Sequence, residues 1–198
     1  MRSYNILIVG VGGQGLLTLG SIIGVACTIR GLDVAVAEVH GMSQRGGSVV
    51  IYVRIGEELS PIMPVGSADH MLALELIEAA RYIYYVKKMG HVTVNDFLWP
   101  PPLSIYPSRD QLFGEMKTRD IKLHVVNAND MSTKITGSPI SANIAILGYA
   151  LGVDESLREL LGLDVIDKSL EEHFRGHVLE LNKSLLRMAF KEGLKRGE

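Results

Sequence analysis

Residues 4–15 read YNILIVGVGGQG, and the fold is decided there. A short apolar run from Tyr4 to Val9 ends in Gly10, the pattern of a buried strand. Gly10-Val11-Gly12-Gly13-Gln14-Gly15 then satisfies G-x-G-x-x-G between that strand and a helix predicted over residues 16–30, with Gly31 as its stop. In that context the physics is anion binding: free N–H groups gather at a helix start, and glycines let a phosphate reach the backbone. The plainer alternative is a tight strand-to-helix turn. Gly20 and Gly24 share one face of the helix. Each costs about 1 kcal/mol relative to Ala in a helix interior, so close packing on a sheet is the simplest compensation.

Residues 33–39 (DVAVAEV) read as a second strand. It carries Glu38, about 20 residues past the loop, where a dinucleotide fold places its ribose-binding acid. A free-standing dinucleotide-binding protein is therefore one candidate. Against it, the strand runs straight into His40-Gly41-Met42-Ser43-Gln44-Arg45-Gly46-Gly47, and residues 48–55 (SVVIYVRI) read as a third strand. The usual second crossover helix is missing. Further strands are predicted at 70–74, 91–95 and 122–126. A helix is expected to run from the fourth strand through Lys88 to a stop at Gly90, and another near 111–117. The prolines of 99–102 (WPPP) force a loop. This alternation predicts a three-layer α/β/α fold, Rossmann-like, with a mostly parallel sheet. After Gly137 the pattern turns helical, over 141–151, 154–161 and 165–195. One domain is expected, with an α/β core over 1–136 and a helical C-terminal part over 137–198.

The 20 basic and 22 acidic residues leave a formal charge of −2, and neither half is strongly basic, which disfavours a nucleic-acid partner. The most apolar stretch, residues 16–26, is too short to span a bilayer and is interrupted by Thr18, Gly20, Ser21 and Gly24, so no membrane segment is expected. No signal peptide is read at the start, and a soluble cytoplasmic protein is expected. Cys27 is the one cysteine. This chain alone builds no disulfide, cysteine-ligated cluster or cysteine-rich zinc site, and Cys27 itself reads as a small core residue. His173 and His177 have the spacing to share a metal on a helix. Gly176 weakens that helix and no third ligand is evident, so a solvated face is favoured and no metal site is expected. Tyr82, Tyr84 and Tyr85 read as core packing. No Ser–His–Asp arrangement is evident.

GVGGQG followed by EVHGMSQRGGSV resembles the gamma-type subunit or domain of the 2-oxoacid:ferredoxin oxidoreductases. The HGMSQRGG form is similar to the small (beta) subunit of the indolepyruvate branch. The resemblance continues through Ser67-Ala68-Asp69, Ala73-Leu74-Glu75, Asn143 with Leu147-Gly148, and Asn182 with Ala189-Phe190 and Gly193, nearly the full chain. It implies oxidative decarboxylation of an aryl pyruvate with coenzyme A, giving acyl-CoA, carbon dioxide and reduced ferredoxin. Pyruvate, 2-oxoglutarate and 2-oxoisovalerate are the alternative substrates. Thiamine diphosphate and iron–sulfur clusters are then expected on a larger partner subunit, because this chain has no Gly-Asp-Gly and a single cysteine. The chain would carry no cofactor, be inactive alone, and meet ferredoxin through the complex.

The residues expected to bind the coenzyme or substrate anion are Gly12, Gly13, Gln14, Gly15, His40, Ser43, Gln44, Arg45, Gly46, Gly47 and Asn143. Arg45 is the cation able to grip a carboxylate or phosphate bidentately. Both glycine loops are expected at the carboxyl edge of the sheet, where open α/β sheets bind ligands. Glu38 is not expected to hold a ribose. The C-terminal helices, with Leu179, Leu185, Leu186 and Phe190 near Asn182, are expected to contribute to assembly, so that deletion after Gly176 weakens it.

Overall fold

The computed structural model describes residues 3–41, 46–56, 60–100 and 104–197. Strands β1 (Tyr4–Val11), β2 (Val34–His40), β3 (Ser48–Ile55), β4 (Ala68–Ala73), β5 (Val86–Asn95) and β6 (Lys122–Val126) form one sheet in the order β2-β3-β1-β4-β5-β6. β1, β4, β5 and β6 pair in parallel, while β3 is antiparallel to both of its neighbours. Only β3 therefore opposes the other five strands. The missing crossover helix is explained by a hairpin: β2 turns back into β3, and β3 inserts between β2 and β1.

Helices cover both faces, as a mostly parallel sheet requires. Along β1 the side chains alternate. Ile6 and Ile8 face a cluster with α1 (Leu16–Ile29), α5 (Ala142–Val153), α6 (Glu155–Leu161), α7 (Leu163–His173) and α8 (Gly176–Gly197). Leu7 and Val9 face the other cluster, with Leu76 and Ala79 of α2 (Leu76–Tyr82) and Leu112 and Met116 of α3 (Arg109–Lys117). α4 (Ala128–Thr136) adds Ala128 to the first cluster. The C-terminal helices are thus built into the main core. α8 contributes fully buried Leu185, Leu186 and Ala189, so deleting it removes core as well as any docking surface.

Three local expectations are corrected. The helix expected through Lys88 ends at Tyr82, followed by one 3₁₀ turn, and β5 already begins at Val86. Gly90 is not a helix stop. Met89 before it has φ 60°, the pairing of β4 with β5 shifts register there, and a Cβ at Gly90 would lie 3.1 Å from the Ala68 carbonyl oxygen. The glycine lets a kinked strand keep close to its neighbour. The helix expected over 165–195 is broken between His173 and Gly176. α4 lies in a stretch assigned no element from sequence. Among the described residues no helix is long and apolar enough to cross a membrane.

Candidate functional site

The glycine loop is held from within. β1 runs through Gly10, where a Cβ would meet Gln14 Oε1 at 2.7 Å. The absent side chain leaves room for Gln14 to fold back, so that its Oε1 accepts from Val11 N–H at 2.7 Å and its Nε2 donates to the Leu74 carbonyl at 3.0 Å. Gln14 thereby fastens the turn to the end of β4. Gly15 caps α1 with φ 73°, a left-handed conformation that favours glycine. A Cβ there would also strike Asn143 Nδ2 at 2.6 Å. No side chain among the described residues caps α1, and its first turn has no acid. Its leading N–H groups therefore open onto a cleft of about 430 Å³, lined by Gly12, Gly13, Gly15, Leu16, Leu17, Thr18, Glu38, His40 and Val49.

The second loop meets the first at the same edge. Gly12 N–H donates to the Gly47 carbonyl at 2.8 Å, and Gly46 N–H to the Gly12 carbonyl at 3.4 Å. Because β1 and β2 point the same way, the turn after β2 reaches the carboxyl end of β1. Ser43, Gln44 and Arg45 lie outside the described residues. His40 is exposed, with Nε2 4.0 Å from Glu38 Oε1. Asn143, buried at the start of α5, donates to the Gly15 carbonyl at 3.0 Å. The structure thus brings Gly12, Gly13, Gly15 and His40 into one cleft and ties Gly46 and Gly47 to it. Gln14 and Asn143 shape the turn through their own hydrogen bonds. Glu38 shares the cleft, but β3 separates its strand from β1, whereas a dinucleotide fold pairs those two strands directly.

Gly13 and Gln14 also border a second cleft of about 350 Å³, with Leu74, Phe97, Trp99, Asn129 and Ile140. It lies across the carboxyl ends of β1, β4 and β5. Glu75 supports its wall: buried, the carboxylate accepts from Glu78 N–H at 2.9 Å and Trp99 N–H at 3.1 Å. Burial raises its pKa, against the opposing pull of those hydrogen bonds. Nothing in the sequence singles out Phe97 and Trp99 as cleft residues. The only hint was an aromatic residue beside a proline-forced loop.

The sequence profile of the family described as pyruvate ferredoxin/flavodoxin oxidoreductase matches residues 5–192. The chain belongs to that family. Within it, a curated relative is the indolepyruvate oxidoreductase subunit IorB of Archaeoglobus fulgidus, 36% identical over 195 residues, covering 96% of this chain and 95% of that one. Among solved structures, the pyruvate oxidoreductase subunit PORC of Thermotoga maritima superposes with a TM-score of 0.76 at 20% identity, covering 96% and 97% of the two chains. A 2-oxoglutarate:ferredoxin oxidoreductase from Magnetococcus marinus, solved with 2-oxoglutarate, coenzyme A and succinyl-CoA, superposes at 0.74 and 17% identity. It covers 99% of this chain but only 32% of that longer one. The α/β fold of this family member is that of those chains.

Away from the glycine loops the structure assembles a polar chain that sequence did not reveal. Thr93 Oγ1 lies 2.8 Å from His70 Nε2, and His70 Nδ1 lies 2.9 Å from Asp154 Oδ2, which also accepts from the Tyr4 hydroxyl at 2.5 Å. Thr93, His70 and Asp154 have the connectivity of a nucleophile–base–acid triad. Thr93 and His70 are both fully buried, so no substrate reaches the hydroxyl, and the chain ties β4, β5 and the end of α5 together. Burial alone would raise the Asp154 pKa; the hydrogen bond and charge of His70 and the Tyr4 phenol hold it well below the usual carboxylate range. Burial, then the Asp154 charge, push the Tyr4 phenol far up. His173 Nε2 lies 2.8 Å from Ser21 Oγ and its Nδ1 3.0 Å from the Ser169 carbonyl oxygen, bridging α7 to α1.

Cys27 is fully buried, and burial pushes its thiol up to about 12. At neutral pH its thiolate fraction is then about a thousandfold below that of a free cysteine. The native chain is expected to resist a chromogenic disulfide reagent that titrates one thiol in denaturant. Prompt labelling of the native chain would contradict this account of the α1 core.

Proposed function

We propose that this chain is the accessory subunit of an indolepyruvate ferredoxin oxidoreductase acting in the cytoplasm. The complex would decarboxylate an aryl pyruvate oxidatively, with coenzyme A, to acyl-CoA, carbon dioxide and reduced ferredoxin. The observation that carries this reading is the glycine loop tied to the β2–β3 turn over one cleft, in a chain 36% identical to an indolepyruvate oxidoreductase subunit along nearly its whole length. The cleft supplies what an anionic group needs: an uncapped helix start, glycine backbone and His40 at the rim. Arg45, which lies between Gly41 and Gly46 in the sequence, would add the cation. The group held is a coenzyme A phosphate or the substrate carboxylate.

Thiamine diphosphate and iron–sulfur clusters belong, in this proposal, to the larger partner. Thiolates are the usual cluster ligands, and the only cysteine here is buried at Cys27. The residues of this chain do not fit a cluster, the sequence has no Gly-Asp-Gly of the thiamine type, and ferredoxin would dock through the complex.

The test is reconstitution. The chain alone should show no activity, and the large subunit should restore it. Losing one side of a charge-assisted contact typically costs about 2–5 kcal/mol where the contact is desolvated, so Arg45→Ala should raise KM at least about tenfold for whichever of coenzyme A and the 2-oxoacid supplies the anion. Arg45→Lys should recover only part, lacking the planar fork. Unchanged kinetics in Arg45→Ala at limiting coenzyme A, limiting 2-oxoacid and limiting partner would sink the role of Arg45. Because Glu38 shares the cleft, tight NAD binding by the lone chain, abolished in Glu38→Ala, would favour a dinucleotide-binding protein instead.

A further inference from the structure

We propose that this chain binds one divalent transition-metal ion of the zinc class between His70, His91 and Asp154, towards the amino ends of the strands and remote from the glycine loops. The sheet makes the juxtaposition. His70 of β4 and His91 of β5 are register partners on adjacent parallel strands. Both project to the face carrying Leu72, which packs with α5 and α6. Asp154 sits where α5 ends and α6 begins. One ligand atom from each of the three lies within 4.8 Å of the others. Two imidazoles and a carboxylate are a donor set that zinc accepts, leaving a fourth position for water.

Neighbouring groups orient this set as metal ligands are usually oriented. With Nδ1 of His70 on the metal, Nε2 would keep its contact with Thr93 Oγ1, now 2.8 Å. Asp154 Oδ1 is engaged by Leu157 N–H at 3.1 Å and Oδ2 by the Tyr4 hydroxyl at 2.5 Å, which fixes the carboxylate with Oδ2 against His70. His124 lies against His91, with ring nitrogens 3.3 Å apart. Tetrahedral zinc places its ligand atoms about 3.3 Å from each other. His70 and Asp154 are already 2.9 Å apart, so the remaining closure falls on His91. That ring is only partly buried and borders a cleft of about 410 Å³ shared with Tyr4, Asp69, Lys87, Lys122 and Asp154, which gives an ion its route inward.

One group opposes the ion. Lys122 Nζ lies 3.3 Å from His91 Nε2, so an ammonium now occupies part of the space and field that the metal would use. Lys122 is exposed and free to swing outward, whereas Lys87 is committed to Asp69. This opposition gives the proposal a signature that a merely structural cluster lacks: removing Lys122 should strengthen binding.

The full-length chain, stripped with a chelator, would be titrated with Zn²⁺ by calorimetry and weighed by native mass spectrometry. One ion per chain is expected. Co²⁺ in its place should give the visible absorption of a tetrahedral nitrogen–oxygen site. His91→Ala leaves the Tyr4–Asp154–His70 chain intact and should weaken Zn²⁺ binding about a hundredfold. Lys122→Ala should tighten it about tenfold by removing a like charge a few ångströms away. No stoichiometric uptake at micromolar Zn²⁺, equal binding in His91→Ala, or no gain in Lys122→Ala would each overturn the site.

Discussion

Gly152→Leu is expected to yield no folded chain, and Gly152→Ala a folded one destabilised by about 3 kcal/mol or more. Every residue of α5 is buried, so the helix has neighbours on all sides. Gly148 and Gly152 form the seam with α8. A Cβ at Gly148 would lie 2.4 Å from the Leu186 carbonyl oxygen, and one at Gly152 would lie 2.5 Å from that of Phe190 and 2.7 Å from Gly193 Cα. Gly193 answers from α8, where a Cβ would be 2.4 Å from the Tyr149 carbonyl oxygen. These are backbone atoms and no side-chain rotation relieves them, so a methyl group must push the helices apart. That opens voids around Leu185, Leu186 and Ala189. The sign of the effect is diagnostic, because alanine is the better helix former by about 1 kcal/mol. Gly114 in α3 meets nothing within 4 Å, so Gly114→Ala should stabilise by roughly that amount. Urea unfolding of both alanine variants decides the matter. Equal stability of Gly152→Ala and Gly114→Ala would remove the steric argument.

The same chemistry was legible in α1 and illegible in α5. Gly20 and Gly24 interrupt an apolar helix right after a strand, which points to a sheet pressed against them. A Cβ at Gly20 would be 3.0 Å from Ile51 Cγ2, and one at Gly24 3.4 Å from Val36 Cγ2. Gly148 and Gly152 sit in a helix that is apolar all round, where no face is marked, and their partner Gly193 is far along the chain. The glycine loop and the irregular turn after β2 are local features, so both could be read. Strand direction at β3 is a pairing property, and no spacing within residues 48–55 states it. The helix expected through Lys88 overruns because apolar Ile83 and Val86 prolong a helical rhythm that the chain abandons at Tyr82. Asn143 stands out only through the family resemblance. Its bond to Gly15 joins residues from opposite ends of the sequence. The polar chain from Tyr4 to Thr93 is illegible for the same reason, since His70 and Asp154 are 84 positions apart.

That polar chain carries the second large effect. Asp154→Ala is expected to cost about 3–5 kcal/mol, because one buried carboxylate serves several hydrogen-bond donors. Three donors lose their acceptor at once. The His70 imidazole is fully buried and loses the partner of its Nδ1. The Tyr4 hydroxyl loses its 2.5 Å bond, and Leu157 N–H loses the N-terminal cap of α6. A lost cap alone costs about 1 kcal/mol, and each buried donor left without a partner about 1–3 kcal/mol. These contributions overlap because all pass through one carboxylate. Asp154→Asn retains a carbonyl for the cap but offers the other two donors an amide in place of an acceptor, so a smaller loss is expected. Tyr4→Phe deletes a donor and leaves His70 paired, and should cost about 1 kcal/mol. The order is therefore Asp154→Ala, then Asp154→Asn, then Tyr4→Phe. It is measured by urea unfolding at neutral pH with a chelator present, which keeps any bound metal out of the comparison. If Asp154→Ala loses no more than Tyr4→Phe, the carboxylate is not the group that holds β4 and β5 to the end of α5, and the tie must lie in the apolar packing around it.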